Sequence, residues 1–262
     1  MELDDAYANA DHIPGANGFL PRWEAAAKAY RNRLSVTGKA RLGLMYGHGA
    51  RETMDLFLPD GSVKGLMVFV HGGYWRKFDR SLWSHFAEGG RTRGYAVALP
   101  SYDLCPRVRI ADITRQIATA VTVAAHEIDG PVRLAGHSAG GHLVARMLAP
   151  GMLPEDVAGR IAHVMPVSPL SDLRPFLKTS MNADFKLTEE TALAESPIFQ
   201  PKPEAAVTIR VGAAERPVFL DQARWLQEAW GCGLDVVPDL HHFDIIDALE
   251  DPDSTAVTQL FA

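Results

Sequence analysis

The stretch "RLAGHSAGGHL" (residues 133–143) decides how this chain folds. It closes an apolar strand-like run, "PVRLAG" (131–136), and opens a segment that reads as helix, "AGGHLVARMLA" (139–149). Between them Gly136-His137-Ser138-Ala139-Gly140 spells G-x-S-x-G, a pattern that carries chemistry when a strand precedes it and a helix follows. A sharp strand-to-helix turn pushes the Ser138 hydroxyl out above a sheet, and small neighbours are needed because the backbone there is crowded. The Ala139 N–H, at the helix start, then points at negative charge developing on a substrate oxygen. A Ser/Gly-rich turn without chemistry is the plain alternative, and the correct flanks argue against it.

Outward from that turn the chain alternates. "RETMDLFLP" (51–59), "GLMVFV" (65–70), "YAVALP" (95–100), "IAHVMPVS" (161–168), "AAVTIRVG" (205–212) and "LDVVP" (234–238) read as strands. "SLWSHFAEGGRTRG" (81–94), "ADITRQIATAVTVAAHEI" (111–128) and "PVFLDQARWLQEAWG" (217–231) read as helices. The second places Asp112 in its first turn, and the third is opened by proline and closed by glycine. Apolar strands alternating with amphipathic helices imply an α/β fold, a mostly parallel central sheet with helices on both faces. With no repeat and no linker, residues 1–262 read as one domain. Two segments stand outside the alternation. Residues 1–38 carry a helical extension ("PRWEAAAKAYRNRL"), and 169–204 are turn-rich, a candidate lid or cap.

Bulk properties narrow the partners. Of 262 residues 47% are hydrophobic and 22% charged, and the net charge of −6 favours neither nucleic acid nor an anionic membrane. No apolar run approaches the roughly 18 residues of a membrane span. The start, "MELDDAYANADHIPG", lacks the basic head and apolar core of a signal peptide, so the expected location is the cytoplasm. The two cysteines, Cys105 and Cys232, form no metal-binding pattern and read as free thiols. This balance does not exclude a small neutral or mildly polar substrate, such as a small-molecule acyl compound.

A serine hydroxyl needs a base, and the base an orienting acid, in the chain order Ser, Asp/Glu, His. Glu215 follows the strand "VTIRVG", at the C-terminal sheet edge where ligand chemistry collects. "DLHHFDII" follows the last strand and offers His241 and His242. His242 is the expected base, since Phe243 and Ile245–Ile246 would anchor its loop, with His241 second. Glu215 leads as acid and Asp172 is the other placement, while Asp239 and Asp244 read as solvated or capping. His48, His85, His126 and His163 read as structural or exposed, and His137 and His142, which flank the elbow, as packing first and as shaping the pocket second.

An acyl-transfer site also needs further N–H donors, supplied in this architecture by the loop that precedes the first sheet helix. "VFVHGGYWRKF" (68–78) ends an apolar strand in Gly72 and Gly73, whose N–H groups no side chain covers. Tyr74 and Trp75 beside them are expected pocket walls suited to a flat aryl group, with simple core packing after a strand the equal alternative.

His71-Gly72-Gly73-Tyr74-Trp75 resembles the HGGxW motif of the kynurenine formamidase (arylformamidase) branch of the α/β-hydrolases, near the HGGG-type lipases and esterases. The resemblance runs from Tyr46-Gly47 and "DLFLP" (55–59) through "GHSAGGHL" to "HHFDII", and "LDDAYANA" looks like that family's opening helix. It implies the α/β-hydrolase fold, with the nucleophile on Ser138, the acid on Glu215, the base on His242, and the oxyanion donors on Gly72, Gly73 and Ala139. Many relatives have Asp where this chain has Glu215. The implied activity is hydrolysis of a small ester or aryl formamide without metal or organic cofactor. A carboxylesterase or thioesterase is the rival activity, and a catalytically silent binding protein the rival class.

Overall fold

A single eight-stranded sheet grows from the alternating apolar runs, in a computed structural model that describes residues 1–262. The strands are β1 (Ala40–Met45), β2 (Thr53–Phe57), β3 (Leu66–Val70), β4 (Ala96–Pro100), β5 (Val132–His137), β6 (Ile161–Val167), β7 (Ala206–Gly212) and β8 (Gly233–Val237). Their order is β1-β2-β4-β3-β5-β6-β7-β8. β1 and β2 pair antiparallel and β2 meets β4 antiparallel, while every later pair is parallel. The helices are α1 (Phe19–Val36), α2 (Glu88–Thr92), α3 (Ile110–Glu127), α4 (Ala139–Arg146), α5 (Glu155–Ala158), α6 (Asn182–Phe185), α7 (Glu189–Glu195), α8 (Pro217–Trp230) and α9 (Thr255–Leu260). None is long and apolar enough to cross a membrane.

β3 shows why its sequence is apolar throughout. Leu66, Val68 and Val70 face one core, with Ile113, Leu143 and Phe219 from α3, α4 and α8. Met67 and Phe69 face the other, with Trp23 and Tyr30 of α1 and Leu260 of α9. Both faces are covered, so alternate residues need no polar side chain. Ile113, Ile117 and Val121 on α3 are fully buried, each contributing about 1.5–3 kcal/mol by area removed from water. Asp112 lies in the first turn as expected, and its Oδ2 also accepts the Arg109 N–H at 2.8 Å, closing the start of α3.

Two elements differ from expectation. The helix read over 81–94 is broken into 3₁₀ turns at Arg80–Leu82 and Ser84–Ala87 followed by the short α2. Gly89 lies so close to the neighbouring chain that a Cβ would stand 2.4 Å from Leu249 O, so packing rather than helical pattern shapes the segment. β1 had no clear strand signal. It is an exposed edge whose register shifts between Arg41 and Leu44, with Gly43 at φ 70°. Both cysteines are free, and burial pushes the Cys105 thiol up to about 11.

The two irregular segments meet over the C-terminal ends of the strands. Residues 169–204 run from β6 to β7 through short helical turns and place Leu170, Leu173, Phe176 and Phe185 in the core. Ahead of α1, Tyr7 is buried against Phe176, with ring centroids 4.7 Å apart.

Candidate active site

At the end of β5 the chain turns into α4 within one residue. Ser138 takes φ 58° and ψ −117°, a region that non-glycine residues avoid at a cost of about 1–3 kcal/mol. Sterics hold it there. A Cβ on Gly136 would lie 2.2 Å from Gly140 O, and one on Gly140 would lie 2.0 Å from Val70 O. The Ser138 N–H donates to Val167 O at 2.8 Å, and its carbonyl accepts the His142 N–H at 3.1 Å. Ser138 is 3% exposed, at the N-terminus of α4 beside the Ala139 N–H.

The structure brings His242 and Glu215 together. His242 Nδ1 and Glu215 Oε2 are 2.6 Å apart, and both side chains are buried. The second carboxylate oxygen is also engaged: it accepts the Gly212 N–H at 2.8 Å and the Ser168 hydroxyl. A buried carboxylate accepting from three donors keeps one orientation, and here it presents Oε2 to the histidine. Gly212 is required by the same geometry, since a Cβ there would stand 2.1 Å from Leu240 O in the chain leading to His242. Glutamate rather than aspartate fits because the side chain reaches back from a turn closed by the Glu215 N–H on Gly212 O at 3.2 Å.

His137 docks the histidine loop onto the elbow. Its Nε2 lies 2.8 Å from His242 O; a carbonyl can only accept, so Nε2 carries the proton. Burial, reinforced by His242 nearby, holds His137 well below the ordinary histidine value, so the ring is neutral. The His242 ring packs between His137 at 4.7 Å and Phe219 at 4.3 Å.

Gly72 completes the cluster from β3. A Cβ on it would meet Ser138 Cβ at 3.0 Å and His137 O at 2.8 Å, so its bare backbone touches the elbow. Gly73 follows at φ 111°, where glycine is favoured. His71, stacked on Tyr102 at 4.4 Å and depressed to about 4 by burial, is neutral, and its carbonyl accepts the Tyr102 hydroxyl at 2.8 Å.

The aromatics after the glycines depart from the sequence reading. Trp75 was expected as a pocket wall, but it is 0% exposed, in edge contacts with His142, Phe176 and Phe185. It is core packing behind the site, because its φ of 54° turns it inward from the loop. Tyr74 is partly exposed and donates its hydroxyl to Tyr7 O at 2.7 Å.

The alternative residues are engaged in other pairings, though His241 shares a small cavity with Glu215 and His242. Asp172 pairs with Arg174 at 2.7 Å and accepts its N–H. His241 pairs with Asp244 at 3.1 Å, and Asp244 accepts the His241 N–H at 2.7 Å, a capping role. Asp239 sits in a turn at φ 61°. His126 pairs with Asp156 at 2.9 Å on the surface, and His163 lies 3.0 Å from Thr208 Oγ1. The sequence reading missed Ser168, whose φ of 47° at the end of β6 aims its hydroxyl at Glu215. No local motif marks it; its signal is placement on the strand next to the one bearing the acid.

Known proteins share this family and this fold. A family model described as the alpha/beta hydrolase family matches residues 67–258. The kynurenine formamidase of Danio rerio is 30% identical, with 95% of this chain and 91% of the relative covered. That of Drosophila melanogaster is 28% identical, covering 80% and 77%. A crystal structure from Silicibacter sp., provisionally assigned as a thioesterase, superposes with a TM-score of 0.98 at 58% identity over the whole of both chains. Esterase B of Lactobacillus rhamnosis shares the fold with a TM-score of 0.68 at 18% identity, covering 93% of this chain and 92% of that one. The chain belongs to the alpha/beta hydrolase family, within its kynurenine formamidase and esterase branch.

Proposed function

We propose that the protein is a serine hydrolase that cleaves small esters or aryl formamides through an acyl-enzyme. The observation that carries the reading is the 2.6 Å contact of His242 Nδ1 with buried Glu215, in a loop docked on the Ser138 elbow. Glu215 fixes the tautomer, leaving Nε2 of His242 as base. Ser138 Oγ attacks the substrate carbonyl as His242 takes its proton, and the N–H groups of Gly72, Gly73 and Ala139 hold the oxyanion. The carbon–nitrogen or carbon–oxygen bond breaks as His242 returns the proton to the leaving amine or alcohol. Water, deprotonated by the same histidine, then attacks the acyl-enzyme and releases the acid. The residues supply nucleophile, proton transfer and charge stabilisation themselves, so the chemistry calls for no metal or organic cofactor.

The relatives called kynurenine formamidases support an aryl formamide as substrate, while the 58%-identical Silicibacter protein supports a thioester. Rates on N-formyl-kynurenine, short p-nitrophenyl esters and acyl thioesters, measured side by side, separate them. A formamide preference of several orders is expected, and flat activity on short esters would make esterase the better name. Ser138→Ala is expected to lose about 10⁶-fold in kcat, and undiminished p-nitrophenyl acetate turnover by that variant would sink the mechanism. Glu215→Gln is expected to lose about 10⁴-fold with Asp172→Asn near wild type. A folded protein whose Ser138 resists a fluorophosphonate probe would instead be a silent relative.

A further inference from the structure

The loop that carries Gly72 and Gly73 is strained beyond what its glycines explain. Tyr74, Trp75 and Phe78 all have positive φ, at 51°, 54° and 73°. Such backbone persists only where its surroundings over-determine it. Trp75 is held by burial, and its carbonyl accepts the Cys105 N–H at 2.8 Å. The Phe78 carbonyl accepts from Arg51 Nη2. Tyr74, next to Gly73, is held by a different part of the chain. Its hydroxyl donates to Tyr7 O at 2.7 Å.

Residues 3–13 form a strap fastened on both sides of the site. The Leu3 N–H donates to Lys178 O at 3.3 Å, and Asp4 Oδ1 accepts the Ser180 N–H at 2.6 Å. Asp5 pairs with Arg216 at 2.7 Å, one residue past Glu215, and with His12 at 2.8 Å. The Tyr7 hydroxyl accepts from Gln222 Nε2 at 3.0 Å. Its ring meets Phe219, which packs on His242. Asn9, His12 and Ile13 then line a small cavity together with Glu215 and His242.

We propose that the strap is a positioning element of the active site, and that Tyr74 acts through its hydroxyl bond to the Tyr7 carbonyl to hold the Gly72–Gly73 amides in place. Tyr74 is a positioning residue and not a wall that substrate touches. The proposal rests on the oxyanion role given above to Gly72 and Gly73. One strap touches the oxyanion loop at Tyr74, the acid loop at Arg216 and, through Phe219 of α8, the His242 ring, so it sets the spacing between donor amides and the proton-transfer pair.

The test is Tyr74→Phe in the full-length protein, which keeps the ring and removes the bond. Kinetics use esters with aryl and alkyl leaving groups, and amide hydrogen exchange follows residues 70–78. Displacement of catalytic groups by about an ångström costs up to roughly 100-fold, so kcat is expected to fall between about 10- and 100-fold with KM unchanged. Aryl and alkyl substrates suffer alike, and the loop amides exchange faster. A raised KM confined to aryl esters would overturn the proposal by making Tyr74 a substrate wall. A wild-type kcat, or unchanged exchange, would overturn it equally. If the wild-type protein hydrolyses no ester or formamide, the functional reading fails, while the exchange measurement still decides whether the strap holds the loop.

Discussion

Two turns at the ends of neighbouring parallel strands are held out of their relaxed conformations by opposite means. The elbow after β5 is held by what is missing: Gly136 and Gly140 have no space for a methyl group, and Ser138 has nowhere else to go. The loop after β3 is held by what is added. Trp75 is sunk in the core, Tyr74 is tied to Tyr7, and Arg51 grips the carbonyls of Tyr102 and Phe78. The residues that must be small at the elbow lie close together in sequence, although the backbone that crowds Gly140 is that of Val70 and His71. A turn fixed by anchors draws on residues far along the chain.

Substitutions can break this contrast. Trp75→Ala should be the most damaging, since removing a fully buried indole costs about 3–5 kcal/mol, read as a lower urea midpoint. Gly140→Ala comes next. Its methyl group would press on Val70 O and His71 O, and overpacking of this kind costs about 1–3 kcal/mol. The same urea titration measures it, and an unchanged midpoint would show that the elbow is not held by crowding.

Acid should strain both turns. His71 is held down to about 4 and His142, beneath Trp75, to about 3, each mainly by burial. The unfolded chain takes up these protons near pH 6.5 and the folded one resists them until much lower. Stability from the two groups is therefore complete above about pH 6.5 and is lost as pH falls toward their folded values. Each contributes up to about 1.4 kcal/mol per pH unit in that window. Thermal melts from pH 7.5 to 4.5 should show a falling Tm, and His142→Gln should flatten the slope. The smallest effect on stability belongs to Arg51→Met. Hydrogen bonds from a charged donor contribute about 1.5–3 kcal/mol when buried; Arg51 is partly exposed, so a loss of about 1 kcal/mol is expected. Its kcat should fall several-fold as Phe78 is released.

The same contrast explains what could be read from sequence. The elbow was legible because strand, small residues, serine and helix are consecutive, and Glu215 and His242 because chain order assigns each to the end of its own strand. The glycines of the β3 loop were legible for their bareness. The direction of Trp75 was not, because it follows from a backbone angle stabilised by Phe176 and Phe185, about 100 residues later in the chain. Ser168 was invisible for the same reason: its partner Glu215 is 47 positions away. β1 escaped because an exposed edge strand interrupted by Gly43 need not alternate cleanly.

The strap has a consequence in time as well as in space. Asp5 and Arg216 are 211 positions apart, so a segment translated early cannot be fastened until α8 has emerged and packed. Helices and hairpin pairings nearer in sequence can form first, since contacts that span long chain separations are slow to close. Closure of the strap over the site should thus come late in folding, when residues 3–13 settle across an almost finished sheet.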